Sequence, residues 1–444
     1  MANIGILKET HNNESRVALT HYAVSSLKKN GHKVFITSNA GLNSGIENKK
    51  YEMAGATILL DNKAVIDQSE ILLKIQKPTK EEIILFRPKQ ILFCFLNLMY
   101  DSETAITLAN AKVTAIGYET IFDDGRYPIL EPVSKLVGKA CYMIGASLLS
   151  MPVKGKGVFL GGSAGASRSK VVIFGGGNAG KELMKMANSA GSRVTVFDKS
   201  LSVINSINDY NPQIQTMYPY HDLVIKEIAN ADLILGATFS GKNSVNKILT
   251  VEMIKMMEPK SVIIDLTTEF GGISATTTFD KDRKTHIYQK HNIIHYCVPN
   301  IASTIPKTSS SALSAPILHY LIRFLITEYQ NIEDDIISNA IQIKDGNIAN
   351  FIKIDIENEK NEYQQKIKDL VNQNEDYDLE SMFEDDNNNN KYNRDIFETD
   401  ETVEKNPINE DVEKRNYSKK NVDLKNWDKD DIFSNANFDD IEID

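Results

Sequence analysis

The strongest constraint on this chain is the stretch Val171-Val172-Ile173-Phe174-Gly175-Gly176-Gly177-Asn178-Ala179-Gly180, an apolar strand that runs into a glycine turn. A helical stretch from Lys181 to Ser189 follows, and Val194-Thr195-Val196-Phe197-Asp198 reads as a second strand ending in an acid. Strand, glycine turn, helix and strand in that order make a βαβ unit that grips a dinucleotide. Gly175 predicts the tight turn, Gly177 a close backbone approach to a pyrophosphate, and Gly180 close packing of the helix on its strand. The helix start, at Asn178, Ala179 and Gly180, supplies free amides and a partial positive charge for phosphates. Asp198 stands eighteen residues beyond Gly180, where a carboxylate accepts hydrogen bonds from ribose hydroxyls. A 2′-phosphate there would meet a like charge, so the pattern favours NAD over NADP.

The rest of the body repeats the alternation of strand and helix. Ile4–Leu7, Val34–Thr37, Ile71–Ile75, Ile91–Leu96 and Val113–Tyr118 read as strands, and Tyr22–Asn30, Lys49–Ala54 and Glu103–Asn110 as helices. A long helical stretch, Pro132 to Leu149, bridges to the series that starts at Val171, which continues with strands at Leu233–Ala237, Val262–Leu266 and Ile293–Val298. Apolar runs of this kind belong to sheets covered on both faces, so the fold class is α/β, with mainly parallel sheets wrapped by helices. Ala312 to Leu325 predicts an amphipathic helix that packs back on the first domain.

Charge divides the chain differently. Residues 331–444 hold 32 acids and 14 bases, whereas the whole chain has 60 and 50, so a mildly basic body carries an acidic tail. After about Glu328 the chain turns to Asn, Asp, Glu and Lys, including the run Asn387–Asn390, and is expected to be disordered, with a partial helix over 352–374. Cys94, Cys141 and Cys297 lie far apart and read as buried thiols of a reducing compartment, not as a disulfide framework or a metal site. Met1 leads almost directly into a strand, with no secretory signal visible, and no apolar run approaches the ~18 residues of a spanning helix. The expectation is a soluble, cytoplasmic protein with a small-molecule substrate and neither a nucleic-acid nor a membrane partner.

The stretch Lys8-Glu9-Thr10-His11-Asn12-Asn13-Glu14-Ser15-Arg16-Val17-Ala18-Leu19-Thr20, together with the glycine turn, resembles the alanine dehydrogenase and nicotinamide nucleotide transhydrogenase alpha-subunit family. Leu72-Leu73-Lys74-Ile75, Ile91-Leu92-Phe93, Tyr118-Glu119-Thr120, Asp265 through Gly272, and Tyr296-Cys297-Val298 with Pro306-Lys307-Thr308-Ser309 extend the likeness over nearly all of residues 1–328. The resemblance implies two Rossmann-like, doubly wound parallel-sheet domains with a cleft between them, a substrate-side domain at 1–128 completed by 305–328 and an NAD-binding domain at 129–304; the acidic tail that composition marks off then occupies 329–444. It also implies NAD as cofactor and a homo-oligomer, often a hexamer. The chain has no spanning segment for a proton channel, which brings it closer to the dehydrogenases, although His11 stands where they usually carry a lysine.

Alanine dehydrogenases hold the substrate carboxylate with an arginine and a lysine, use a histidine as acid and base, and place an aspartate by the nicotinamide. Arg16 matches the arginine, and its fork suits a bidentate carboxylate. Gln76 stands for the lysine, Asn97 for the histidine and Glu269 for the aspartate. Gln76 brings no charge, Asn97 cannot exchange a proton, and Glu269 keeps the carboxylate on a longer stem. Lys74, expected on the same strand face as Gln76, is a candidate stand-in for the lysine or a structural residue; His11 is a candidate proton carrier. On the cofactor side the resemblance carries over to Ser134 on the bridging helix, to Thr238 and Phe239 past one strand end, and to Val298 at the end of another strand with Asn300 just past it. Three readings stay open: alanine–pyruvate interconversion with ammonia, an NAD-binding relative without that chemistry, or a different amino-acid or opine-type substrate.

Overall fold

The structure is a computed structural model that describes residues 1–238, 247–278, 286–330 and 334–352. The first series forms β1 (Asn3–Ile6), β2 (Lys33–Thr37), β3 (Thr57–Leu59), β4 (Ile71–Gln76), β5 (Ile91–Phe95) and β6 (Thr114–Gly117). The second forms β7 (Lys170–Phe174), β8 (Arg193–Phe197), β9 (Gln215–Met217), β10 (Leu233–Gly236), β11 (Val262–Asp265), β12 (Ile287–Lys290) and β13 (Ile293–Tyr296). Central strands such as β7 are buried along their whole length, which is why they read as unbroken apolar runs.

In the first sheet the parallel strands run β6-β5-β4-β1-β2-β3, and in the second β13-β11-β10-β7-β8-β9 with β12 antiparallel at the edge. Both orders reverse direction beside the first strand of the series, between β1 and β4 in one sheet and between β7 and β10 in the other. Ligands of open α/β sheets gather at such switch points, past the carboxyl ends of the strands. The loops after β1 and β5 carry Arg16 and Asn97, and Gln76 is the last residue of β4; the loops after β7, β10, β11 and β13 carry the glycine turn, Thr238, Glu269 and Asn300.

The helix Pro306–Gln330 returns to the first sheet and buries Leu313, Ile317, Leu321 and Phe324 with Ile4, Leu73 and Phe93. Its serines do a second job. Ser310 and Ser314, one turn apart on one face, accept hydrogen bonds from the amides of Val17 (3.0 Å) and Thr20 (2.9 Å), and Ser303 accepts from Ser15 (2.9 Å). The loop that carries Arg16 is therefore pinned by residues nearly three hundred positions away.

The acidic tail cannot begin at 329. Asp335–Ala340 is helical, β14 (Ile341–Lys344) pairs antiparallel with β6, and β15 (Asn347–Ile348) pairs with β14. The intervening Asp345 and Gly346 both have positive φ (49° and 84°), the pattern of a two-residue type I′ hairpin. Average composition hid this element, because Ile337, Ile343 and Ile352 are few but fully placed in the core. Residues 353–444, with the expected partial helix and most of the acidic run, lie outside the described residues. Cys94, Cys141 and Cys297 are buried and free. Among the described residues no helix is long and apolar enough to cross a membrane, and no cluster of His, Cys, Asp and Glu could hold a metal ion.

Candidate functional site

The glycine turn performs the geometry its sequence prescribes. Gly175 has φ 98°, and a Cβ there would lie 2.5 Å from the Ala237 carbonyl oxygen; a Cβ at Gly180 would lie 1.9 Å from the Gly175 carbonyl oxygen. No side chain fits either place. Gly177, the N-cap of the helix Asn178–Ser189, is exposed with nothing within 4 Å of its missing Cβ, so the helix start is open to close approach there. Asp198 follows β8, and its carboxylate accepts from the amides of Gly176 (2.7 Å) and Ser200 (2.8 Å). Each oxygen keeps a lone pair for a further donor.

Ser134 sits on the helix Leu130–Leu148, one turn before Gly138, whose missing Cβ would meet the Ala179 carbonyl oxygen at 2.1 Å. That helix therefore crosses the glycine turn at close range with Ser134 on its near side, the Ser134 hydroxyl donating to Leu130 O (3.0 Å). Thr238, directly past β10, holds a buried hydroxyl with no partner among the described residues. An orphaned hydroxyl, an open helix start and a ribose-height carboxylate are what a dinucleotide requires, so these residues fit one. Val298 packs on the apolar core of the second sheet. Phe239 lies outside the described residues.

A second cluster joins the two sheets. Arg16, 4% exposed, directs Nε and Nη2 at Glu14, with 2.8 Å to Oε1 and 2.6 Å to Oε2. Asn300, held at φ 55° after β13, accepts from Arg16 Nη2 (2.9 Å) through Oδ1 and donates through Nδ2 to Glu14 Oε2 (2.7 Å). Gln76 Nε2 donates to the same oxygen at 3.2 Å. The bidentate face of Arg16, expected to wait for a substrate carboxylate, thus already holds the carboxylate of Glu14. Glu14 went unnoticed as a site residue because its place two positions from Arg16 says nothing about the direction of its side chain.

Burial pushes the Glu14 carboxyl up, but the hydrogen bonds and charge of Arg16 outweigh it and hold the group at about 2. Since its unfolded value lies above its folded one, the pair stabilises the protein fully above about pH 4.5, and that stability is lost as pH falls from there towards 2. Urea midpoints measured across this range should fall steeply for the natural protein and less steeply for Glu14→Gln.

Lys74 is fully buried and turns away from this cluster. Its Nζ bonds both oxygens of Glu82 at 2.8 Å and lies 3.7 Å from Glu9. The shared-face expectation failed because β4 takes one extra residue against β5 between Leu73 and Gln76, which breaks the two-residue alternation. Glu9 in turn accepts from the amides of Ile75 (2.6 Å) and Gln76 (3.4 Å), and burial raises its carboxyl to about 7 despite Lys74. His11 donates through Nε2 to the Lys77 carbonyl at 2.7 Å, which ties its ring to the backbone.

Asn97 has a left-handed backbone (φ 48°) and an exposed side chain at the end of β5. Its amide and that of Leu96 donate to Glu119 (2.7 and 3.1 Å), whose other contact is Gln342 Nε2 of β14 at 2.6 Å. The late hairpin therefore anchors the loop that presents Asn97. Tyr100 of this loop meets Phe270, neighbour of the exposed Glu269, with ring centroids 4.9 Å apart. Arg16 and Asn300 are brought into direct contact, Gln76 joins them through Glu14, and the loops of Asn97 and Glu269 meet through their aromatic neighbours.

Comparisons with known proteins agree with this geometry. Residues 5–137 match the model described as "Alanine dehydrogenase/PNT, N-terminal domain" and residues 141–351 that described as "Alanine dehydrogenase/PNT, C-terminal domain". The chain is 39% identical to the alanine dehydrogenase of Bacillus subtilis (strain 168) over 321 residues, 72% of this chain and 85% of that protein. It is 35% identical to the alanine dehydrogenase of Methanococcus maripaludis over 349 residues, 78% of this chain and 93% of that protein. A solved L-alanine dehydrogenase superposes with a TM-score of 0.74 at 28% identity, covering 80% of this chain and 99% of its own. On this sequence match, and on two doubly wound sheets whose strand ends share one polar cluster, the chain belongs to the alanine dehydrogenase/PNT family.

Proposed function

We propose that this protein is an NAD-dependent oxidoreductase that interconverts a small amino acid, L-alanine, with its 2-oxo acid, pyruvate, and ammonia. The observation that carries the reading is the Arg16–Glu14–Asn300–Gln76 cluster, which draws residues of both sheets together at their carboxyl ends. Gly175, Gly177, Asp198, Ser134 and Thr238 would hold the dinucleotide. When bound, NAD supplies a two-electron acceptor for the hydrogen on the substrate Cα.

The chain's own groups divide the remaining work. Arg16 has Nη1 left to donate to a substrate carboxylate, and the second N–H of the Gln76 amide adds a neutral donor. The Asn97 amide orients the amine without taking its proton. Of the four positions only Glu269 carries a group that moves a proton, at a carboxylate oxygen, because guanidinium and amides hold theirs. Water completes the transfer where the family uses histidine.

The test is turnover. Purified full-length chain should bind NADH and oxidise it with pyruvate and ammonia; NADH binding without turnover across a panel of 2-oxo acids would reject the reaction and favour a dinucleotide-binding role. Asp198→Ala is a sharper check of the cofactor. Loss of charge-assisted bonds to the ribose should weaken NADH about 10–100-fold by calorimetry, with NADPH affected less.

A further inference from the structure

The charges of the polar cluster cancel. Glu14, its side chain only 1% exposed, accepts from Arg16 Nε and Nη2, from the Arg16 amide (3.0 Å), from Asn300 Nδ2 and from Gln76 Nε2. One buried guanidinium is matched by one buried carboxylate, and the other two partners, Asn300 and Gln76, are neutral amides. The nearest further cation on the same strand, Lys74, is turned onto Glu82 and Glu9, and Lys77 is paired with Asp101. No cation among these is left to face a ligand.

This arrangement bears on the substrate pair, and the inference rests on the reading above. A 2-oxo acid carries one negative charge, whereas an amino acid at neutral pH carries a carboxylate and an ammonium and is neutral as a whole. A site with net positive charge draws in the anion; a neutral site whose dipoles are fixed has no such preference. We propose that Glu14 is a specificity-determining residue: by occupying the Nε/Nη2 edge of Arg16 beside an uncharged Gln76, it removes the advantage that the 2-oxo acid anion would otherwise have over the zwitterionic amino acid. A carboxylate ligand meets only the Nη1 side of Arg16, so it is gripped by one donor pair in place of the two-point fork.

Two single variants test this, with binding as the readout. Glu14→Gln keeps an oxygen for the Arg16 amide and Nε, but turns an NH2 toward Nη2 and leaves the guanidinium charge unmatched. Gln76→Lys adds a charge to the cluster while Arg16 and Glu14 both remain in the sequence. The full-length chain, loaded with NADH and without ammonia, is titrated calorimetrically with pyruvate and separately with L-alanine, neither of which turns over under those conditions. In both variants the Kd for pyruvate should fall about tenfold, the lower end for a charge-assisted contact, while that for alanine moves less than about threefold. Equal movement of the two constants, weaker pyruvate binding in both variants, or no detectable pyruvate binding to either variant would overturn the proposal. Using both variants guards against Glu14→Gln disturbing the loop. Failure of the parent reading looks different: it is absent alanine turnover in the natural protein, while the ratio of the two constants can still be measured, with NADH or on the free chain.

Discussion

Replacing Gln76 by lysine together with Asn97 by histidine is expected to raise alanine turnover by about 10²–10⁴-fold, the usual contribution of a positioned acid and base. The scaffold is ready for both. Asn97 sits in the left-handed region, which histidine tolerates better than most residues, and its backbone is held by Glu119, so the new imidazole would project where the amide does now. A lysine at 76 would reach the Glu14 oxygen that Gln76 Nε2 touches at 3.2 Å and compete with Arg16 for it, returning part of the guanidinium face to the substrate. Steady-state rates of NADH formation from alanine, measured beside NADH affinity, decide the matter. An unchanged rate with intact NADH binding would mean that more than two side chains separate this site from an alanine dehydrogenase.

The second large effect is on stability. Lys74→Met should destabilise the fold by about 3–5 kcal/mol, because it leaves Glu82 and Glu9 buried without their cation. Denaturant unfolding measures this directly, and pyruvate affinity should stay within about threefold of its natural value, since Lys74 points away from Arg16. The opposite pattern, full stability with lost affinity, would put Lys74 in the substrate's path. Lys74→Met with Glu82→Leu should recover part of the loss, because the carboxylate that bonds Lys74 through both oxygens goes with it, while Glu9, whose carboxyl burial already raises to about 7, remains.

The cradle and the cluster differ in how far they were legible. Gly175, Gly180 and Asp198 could be assigned from spacing because each acts through its own backbone or the next strand, within about twenty-five residues. Arg16 could be named as a candidate, but not its partner, since nothing local dictates whether Glu14 turns toward the guanidinium or toward water. Spacing along β4 puts Lys74 and Gln76 on one strand face, and the extra residue that β4 takes against β5, a property of their pairing, undoes it. The hairpin at 341–348 was passed over because its isoleucines are diluted in polar sequence, although Asp345-Gly346 between two apolar alternations was there to be read.

The sequence alone determined the two strand–helix series, the glycine turn with its acid, and the residue types at 16, 76, 97 and 269. These follow from local rules: apolar period, backbone freedom at glycine, and the chemistry each side chain carries. Only the tertiary structure decided that Glu14 neutralises Arg16, that Asn300 from the second sheet closes the cluster, and that Gln342 anchors the Asn97 loop through Glu119. Such contacts join residues more than two hundred positions apart, or depend on which way one side chain turns. Both are settled by the competition of all buried donors and acceptors for partners, and that competition exists only in the folded chain.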